Sequence, residues 1–471
     1  MNKVSEKLCA SLRIAIIPLL AVIVIFAFRM CFVAVHNMLA KGYGVWGFVG
    51  GMTAFVLGIL TLKSKWEEKD KLWIIIGIAL LIRIAWIIVV PSVPVSDYAT
   101  MYDCAKRILQ GDFSGMYGVG YFARYPHLVL SVLYMAFMKL LFGSDALFAI
   151  KVFSVALSAI NIFLLYNISK YFVKSERARL ITALFAALFP PFITYVSTFC
   201  TENLAMPFLL LSILYFCKIV KDDTSIKNVI LCGLFMGISN MFRGVGVIVI
   251  IAMGIFLFLQ SAKKRVKTIC IITATTLAIT GLVSTILVVS GVTEAHIWKG
   301  KESGITYFLK GLNVDAKGAW NETDAKFVEE HLLDENFNEQ CIDIIKERLE
   351  EKNAAELTTF FFNKFVNQWV YGDCNGTYWA FMNTDIKYSY PIDAYSQIVS
   401  CILLLLSLVS LFKKQDGYEA FLHIILCGFG LFFLVFESQP RYAYIIYWIF
   451  IPLAAQGWQT IVGEINKRRR R

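Results

Sequence analysis

Charged residues are scarce in this chain, at 17% of its 471 residues, whereas 58% are hydrophobic and the mean hydropathy is +0.65. A water-soluble chain of this length would leave too much apolar surface exposed, and repeated apolar runs of about 18 residues or more are typical of membrane-spanning helices. The composition therefore excludes an ordinary soluble enzyme and predicts an all-α polytopic membrane protein.

Several chemistry-bearing motifs are also missing. The 11 cysteines include no C-x-x-C pair and have no histidine partners at metal-binding spacing, so a zinc site is not expected. Most fall in apolar runs, where cysteine behaves as a small hydrophobe; Cys341 and Cys374 are candidates for a disulfide in an outer loop. No glycine-rich phosphate loop, haem motif or nucleophile elbow occurs. A nucleotide-binding domain is therefore not expected.

The formal net charge of +11 could indicate a nucleic-acid partner. The basic residues, however, lie at the ends of apolar segments and in the terminal "NKRRRR". A membrane-topology signal explains that distribution better, so we expect contact with membrane lipids and none with nucleic acid.

Twelve apolar segments are predicted to cross the membrane: 13–36, 45–62, 72–90, 146–170, 178–194, 203–220, 228–241, 244–260, 267–290, 396–412, 418–436 and 441–461. The segment 126–141, "PHLVLSVLYMAFMKLL", is ambiguous because 16 residues are short for a crossing of about 20. If it lies in the interface, "KSKWEEKDK", "KYFVKSERAR", "KIVKDDTSIK", "SAKKRVK", "FKKQDG" and the basic tail all fall on one side, as cytoplasmic loops do. We therefore predict an interfacial 126–141 and two cytoplasmic termini.

The long connection 291–395 is predicted to face outward. It contains 18 acidic residues against 10 lysines and arginines, a net charge of −8. Its part "TDAKFVEEHLLDENFNEQCIDIIKERLEEKNAAELTTFFFNKFVNQWV" predicts one or two amphipathic helices, with an apolar stripe at Leu333, Ile342, Ile345 and Leu349. The part "YGDCNGTYWAFMN", rich in Gly, Asn and aromatics, is predicted to be a loop.

The stretch "VPVSDYATMYDCAKRILQGD" follows the apolar run 72–90 and places acids beside the membrane. Its apolar residues Tyr98, Met101, Tyr102, Ala105 and Ile108 share one side of a helix at spacings of three and four. Two interpretations of Asp97 remain open. It could be the N-cap of that helix, or a partly desolvated carboxylate that serves as a general base.

Five stretches together resemble the GT-C glycosyltransferases in their order and spacing: "SDY", "YPHLVLSVLYMAFMKLLFGSDALFAIKVFS", "FPPFITYVSTFCTENLAMPFLLLSILYF", "GLFMGISNMFRGVG" and "ESQPRYAYIIYWIFIPL". The most similar groups are the dolichyl-phosphate-mannose–protein mannosyltransferases and the bacterial lipid A aminoarabinose transferases. The likeness covers about 72–260 and 396–461.

The resemblance implies a GT-C-like bundle of about 12 transmembrane helices. A catalytic module, 63–290 with outer loop 91–145, follows an extra pair of helices, 1–62. The outer acidic helical segment 291–395 comes next, and 396–471 supplies the last helices and a basic cytoplasmic tail.

The resemblance also implies residue roles. Asp97 matches the family's first-loop aspartate, the general base on the acceptor. The acid that often stands beside it is replaced in this chain by Tyr98, so a second carboxylate would be Asp103 or is absent. The family's basic-Pro motif, which meets the lipid phosphate, corresponds to "ARYPHL" and so to Arg124 or His127.

A departing phosphate needs cations, and arginine suits this through bidentate contacts. Arg124, Arg243 and Arg441 all fall on the predicted outer side, as do Glu202 and Glu437. Each has a plainer alternative. Arg243 could reach lipid headgroups, Glu202 could cap a helix, Arg441 could pair with Glu437, and His127 could be a packing residue. Arg29 and Arg83, inside predicted spans, would face a partner or reach headgroups rather than bind substrate.

The function expected from these features is inverting transfer of a sugar from a polyprenyl-phosphate donor to an extracytoplasmic acceptor (a glycan, lipid or protein). We expect it in a bacterial plasma membrane, with the active site facing outside. No cofactor is specified, and no ligand cluster in the sequence identifies a divalent metal ion, although one is compatible with such a site. Two rivals remain: a transporter or flippase of a lipid-linked saccharide, and a non-catalytic scaffold.

Overall fold

A computed structural model describes residues 3–221, 225–260, 265–413 and 417–469. Within these ranges the regular structure is entirely helical, without strands. This confirms the predicted all-α class. Four parts of the predicted basic connections and tail lie outside the described residues: 222–224, 261–264, 414–416 and 470–471.

The helices that precede the outer segment form two groups in chain order. The first group contains α1 (Lys3–Lys41), α2 (Trp46–Lys63), α3 (Glu68–Val89), α4 (Asp97–Ile108), α5 (Tyr121–Arg124), α6 (Val129–Phe142) and α7 (Ala146–Ser169). The second contains α8 (Glu176–Leu188), α9 (Pro190–Thr194), α10 (Glu202–Lys221), α11 (Ile226–Phe242), α12 (Gly246–Leu259) and α13 (Arg265–Val289).

The outer segment contributes α14 (Ile305–Gly311), α15 (Glu322–His331), α16 (Phe337–Glu350), α17 (Ala354–Trp369) and α18 (Gly376–Phe381). The chain ends with α19 (Tyr390–Ser410), α20 (Ala420–Val435), α21 (Tyr444–Tyr447) and α22 (Phe450–Arg469). Short 3-10 helices are Ser114–Met116, Pro126–Leu128, Gly143–Asp145, Tyr195–Ser197, Ile386–Tyr388 and Pro440–Ala443.

Seven helical stretches of the described chain are long and apolar enough to cross a membrane, or nine when two bent pairs are each counted as one span. The bends are 51° between Glu176–Leu188 and Pro190–Ser197, and 60° between Pro440–Tyr447 and Phe450–Arg469. Three shorter apolar helices, α11, α12 and α20, complete the set. These elements coincide in sequence with the twelve predicted segments, while their placement in a membrane stays a prediction.

The ambiguous segment 126–141 forms most of α6, which folds back against α7. The rings of Tyr134 and Phe153 are 5.8 Å apart, whereas a straight helix would separate those residues by about 28 Å. The reversal occurs at Gly143, whose φ of +53° is a conformation that glycine adopts readily. At 14 residues, α6 is too short for an ordinary crossing. This geometry is compatible with the predicted interfacial position.

The break between α8 and α9 falls in "LFPPF", because Pro190 and Pro191 cannot donate hydrogen bonds to the preceding helix. Arg83 of α3, which is fully buried, occupies this break. Its guanidinium donates to the carbonyl oxygens of Ala187 (2.9 Å) and Ala186 (3.3 Å) and to Ser158 Oγ (2.8 Å). The expectation that Arg83 faces a partner is therefore confirmed.

The outer segment differs from the sequence prediction in four respects. Its amphipathic region forms three helices, α15 to α17, rather than one or two, because Asn353 and Glu356 make a capping box that starts α17 anew. Its core is Leu309, Val328, Phe337 and Cys341, while Leu333 of the predicted stripe is 76% exposed. Part of the predicted aromatic loop is helical, as α18.

The fourth difference concerns the cysteines. Cys341 and Cys374 are both free, so the candidate disulfide is wrong. Cys341 is buried in the small core of the outer segment, whereas Cys374 belongs to the main core of the bundle. The two thiols therefore pack in separate apolar clusters. Their shared position in the outer segment of the sequence does not reveal this separation.

Replacing Arg83 with Leu should lower the free energy of unfolding by about 2 kcal/mol or more, since each buried polar group left unpaired costs about 1–3 kcal/mol. Arg29→Leu is the matched control, because Arg29 is exposed on α1. Thermal unfolding of both variants in detergent measures the difference. Equal melting temperatures for the two variants would contradict a structural role for Arg83.

Candidate active site

The first helix after the third predicted span begins at Asp97 itself, with Ser96 at the N-cap. Ser96 has a φ of +51° and makes no capping hydrogen bond with its side chain. The N-cap interpretation of Asp97 is therefore wrong. Tyr98, Met101, Tyr102 and Ala105 are buried, so the predicted apolar stripe packs against the protein, mainly against α6.

The Asp97 carboxylate has two partners from distant parts of the chain. Arg441 Nη2 donates to its Oδ2 at 2.9 Å, and the Tyr121 hydroxyl donates to its Oδ1 at 3.0 Å. Its side chain is 39% exposed, whereas that of Arg441 is 10% exposed. Burial, with a further contribution from the Asp97 charge, raises the pKa of Tyr121, so this phenol stays protonated. Asp97 is thus fixed in orientation yet open on one side.

Arg441 is surrounded by aromatic rings. Its guanidinium carbon lies 4.8 Å from the ring centre of Trp379, 5.3 Å from that of Tyr442 and 5.8 Å from that of Tyr98. Its Nη1 also donates to the Tyr98 hydroxyl at 3.4 Å. Its buried Nε has no hydrogen-bond partner among the described residues. Arg441 therefore pairs with Asp97, not with Glu437, and its Nε–H is among the donors that remain unused.

Arg243 follows the end of α11 and lies 3.4 Å from Glu202, the first residue of α10. Its guanidinium carbon is 5.0 Å from the Tyr442 ring centre, so Tyr442 is contacted by both Arg243 and Arg441. Thr201 Oγ1 donates to Glu202 at 3.1 Å. This brings a second arginine–carboxylate pair next to the first.

Arg124 forms a third pair, with Glu302 of the outer segment. Its Nη2 donates to Glu302 Oε2 at 2.7 Å, Tyr125 donates to the same oxygen at 2.5 Å, and Lys310 Nζ lies 3.3 Å from Oε1. Although burial opposes ionisation, Lys310, Tyr125 and Arg124 together keep the pKa of Glu302 below its usual value. The rings of Tyr125 and Tyr121 are 5.0 Å apart, which links this pair to Asp97.

The remaining predicted residues lie at different distances from this cluster. His127 interacts electrostatically with Arg243 and its ring is 6.3 Å from that of Tyr125. Glu437 Oε1 accepts hydrogen bonds from Tyr442 (3.0 Å) and Gln439 (2.9 Å). Asp103, by contrast, is exposed and pairs with Lys106 at 2.8 Å. No hydrogen bond or ion pair joins Asp103 to Asp97 in the described chain.

The cluster as a whole is a set of arginine–carboxylate pairs rather than a group of free cations. All three predicted arginines are near one another, through Tyr442 on one side and through Tyr121 and Tyr125 on the other. Any anion that binds to this cluster must therefore use donors that the carboxylates leave free, or displace the carboxylates. Arginine has five N–H donors in a fixed fork, so one guanidinium can bind two anions.

In the described ranges no group of three His, Cys, Asp or Glu side chains is arranged to hold a metal ion. The acids of the cluster are instead each neutralised by an arginine or hydrogen-bonded by a phenol. These side chains do not fit a metal site as they stand.

Comparison with known proteins indicates the class of reaction. Residues 126–288, about a third of the chain, match the family model described as dolichyl-phosphate-mannose-protein mannosyltransferase. The chain is a membrane glycosyltransferase of the GT-C type. No curated protein matches its sequence significantly. The matched region of this GT-C enzyme includes His127, Glu202 and Arg243, whereas Asp97, Arg124 and Arg441 lie outside it.

Sequence reasoning missed five residues of this site: Tyr121, Tyr125, Glu302, Lys310 and Tyr442. Tyr121 and Tyr442 are close in sequence to Arg124 and Arg441, so the aromatic residues around those arginines were an available signal. Glu302 is one of 18 acids in the outer segment, and nothing in its local sequence distinguishes it from the others.

Glu302→Gln should reduce stability near neutral pH and flatten its acid dependence. A carboxyl whose folded pKa is depressed contributes stability above its ordinary pKa, near 4.5, and loses that contribution as the pH falls through the folded value. Melting temperatures of wild type and variant should therefore converge below that pH. Glu330→Gln, which removes the same charge from an exposed position, should follow the wild-type curve. Parallel curves for Glu302→Gln would contradict the ion-pair assignment.

Proposed function

We propose that this GT-C enzyme transfers a sugar from a polyprenyl-phosphate donor to an acceptor outside the cytoplasm, with inversion at the anomeric carbon. The observation that carries this proposal is the contact between Asp97 and Arg441. It joins a partly exposed carboxylate, suited to proton transfer, to a cation suited to a phosphate leaving group.

The proposed reaction uses the two partners for opposite ends of one displacement. Asp97 takes the proton from the acceptor hydroxyl or amine while its oxygen or nitrogen attacks the anomeric carbon. The bond between that carbon and the phosphate oxygen breaks, and the electron pair leaves with the phosphate. Attack opposite to the leaving group inverts the anomeric configuration.

Arg441 would hold the phosphate without releasing Asp97, because the carboxylate uses only one of its five N–H donors. Arg243, on the other side of Tyr442 with 25% of its side chain exposed, would bind a second phosphate oxygen. Arg124 and His127 would contact the donor phosphate on the side that carries the polyprenyl chain. Glu202 would hold Arg243 in place when the donor is absent.

The proposed location is a bacterial plasma membrane, with the site on the outer face. Its support is the distribution of charge: basic connections on one predicted side and a net charge of −8 over 291–395 on the other. A glycan, a lipid or a protein could each supply the acceptor hydroxyl or amine.

The main rival is a transporter or flippase, which would use broken helices to expose backbone groups to a substrate. The break between α8 and α9 has the required bend of 51°. Its carbonyls, however, are already bonded: those of Ala186 and Ala187 by Arg83, and that of Leu188 by the Tyr395 hydroxyl at 2.9 Å. This arrangement favours a rigid structural kink over a substrate site.

Asp97→Asn should lower turnover about 100-fold or more, because loss of a general base typically removes a factor of about 10²–10⁴. Sugar transfer from a polyprenyl-phosphate donor in lipid nanodiscs is the measurement. Asp103→Asn is the matched control on the same helix and should retain wild-type turnover. Wild-type turnover by Asp97→Asn would remove Asp97 as the base. Transbilayer movement of the lipid-linked sugar, with no new glycosidic bond, would favour the transporter.

A further inference from the structure

The segment 436–439 joins the end of α20 to the turn that carries Arg441, and each of its residues is hydrogen-bonded to the outer segment. Its first and last residues, Phe436 and Gln439, have extended backbone angles. Glu437 N–H donates to the Tyr307 carbonyl and Ser438 N–H donates to the Gly318 carbonyl, both at 2.9 Å. These two acceptors lie at the start of α14 and beyond its end. Two consecutive backbone donors of the segment are therefore bound by α14 and by the connection that follows it.

The carbonyl groups of the same segment are bound by α17. Lys364 Nζ donates to the Phe436 carbonyl at 2.8 Å and also to that of Gly311. Gln368, one turn further along α17, donates through Nε2 to the Gln439 carbonyl at 2.9 Å and accepts from the Ser438 hydroxyl. Both side chains are buried, with 3% and 2% exposure. They therefore lie on one face of the helix, at the i and i+4 spacing.

The packing leaves this segment little freedom. A Cβ added at Gly311 would overlap the backbone from Val435 to Glu437. The end of α14 therefore packs so closely against the segment that only glycine fits at this position. The Phe436 ring also contacts that of Phe308, at 4.4 Å between centroids. After this segment, Pro440 restricts the backbone at the start of the turn that holds Arg441.

We infer that Lys364 and Gln368 are positioning residues for Arg441: they fix the segment 436–439 and thereby place the guanidinium against Asp97. The inference rests on the proposed function of Arg441. It assigns a role to the outer segment 291–395, which lies beyond the region 126–288 that matches the family model. The bonds are to backbone groups of the segment, so they constrain its path whatever its side chains are.

Gln368→Leu and Lys364→Met remove these donors while conserving approximate size. Asn367→Leu is the matched control, because Asn367 is adjacent on α17 and exposed. We expect each of the first two variants to lower turnover about 10-fold or more, since small displacements of positioning groups have large effects on rate. Asn367→Leu should match the wild type. Lys364→Arg should recover part of the loss from Lys364→Met.

A double-mutant cycle with Arg441→Lys separates positioning from a general structural defect. If Gln368 acts through Arg441, then Gln368→Leu should cost much less turnover in the Arg441→Lys background than in the wild type. Equal fold-losses in both backgrounds would overturn the inference.

Hydrogen exchange of the peptide 436–443 gives a readout that does not depend on activity. Gln368→Leu and Lys364→Met should accelerate its exchange relative to wild type and Asn367→Leu, because the donors that bind its carbonyls are gone. Unchanged exchange in both variants would overturn the inference. If Arg441→Lys itself kept wild-type turnover, the proposed function of Arg441 would fail, while the exchange data would still decide whether α17 fixes this segment.

Discussion

A buried charge needs a partner, because removing an ion from water costs several kcal/mol even after relaxation. This constraint applies both to the helix break in the bundle and to the candidate active site. Arg83 meets it with backbone carbonyls and one hydroxyl at a helix break. Arg124, Arg243 and Arg441 meet it with carboxylates, each from a different part of the chain. Arg83 has only neutral acceptors, and its hydrogen bonds rigidify the bundle. The three arginine–carboxylate pairs instead bring charged groups close to one another.

In the proposed mechanism, the pairing of arginines with acids has a consequence for catalysis. The guanidinium groups are held in place before substrate arrives, so little reorganisation is needed at the moment of reaction. The proposed polyprenyl-phosphate donor would bring its own negative charge to a site where the partly exposed Asp97 carboxylate is already bonded to Arg441. The fork of arginine suits this situation, because its donors point in several fixed directions. A lysine at this position has one compact charge, so it would bind the carboxylate and a phosphate less well at the same time.

Much of the fold follows from the sequence, because hydropathy and helical periodicity are local properties. The twelve predicted apolar segments coincide with helices of the described chain, of which seven, or nine with the bent pairs, are long and apolar enough to cross a membrane. Four of the five apolar residues predicted to share one side of α4 are buried. The pairing of residues that are far apart in the sequence is not a local property. Glu302 is 178 residues from Arg124 along the chain, and 344 residues separate Asp97 from Arg441. The sequence indicated that these arginines and Asp97 could share a face, but only packing determines which acid pairs with which arginine.

The contacts of the outer segment were likewise not predictable, because they join residues that are far apart in the sequence. The sequence predicted only an acidic helical segment that faces outward, yet two of its buried polar side chains, Lys364 and Gln368, donate to backbone carbonyls beside Arg441. An extended segment between two helices cannot satisfy its own backbone groups, so it must take partners from elsewhere. In this protein those partners are α17 and the region around α14; the same region supplies Glu302 to Arg124, and Lys310 donates to that Glu302 carboxylate. One outer segment therefore contacts two of the three arginine regions, and its fold and the geometry of the site cannot vary independently.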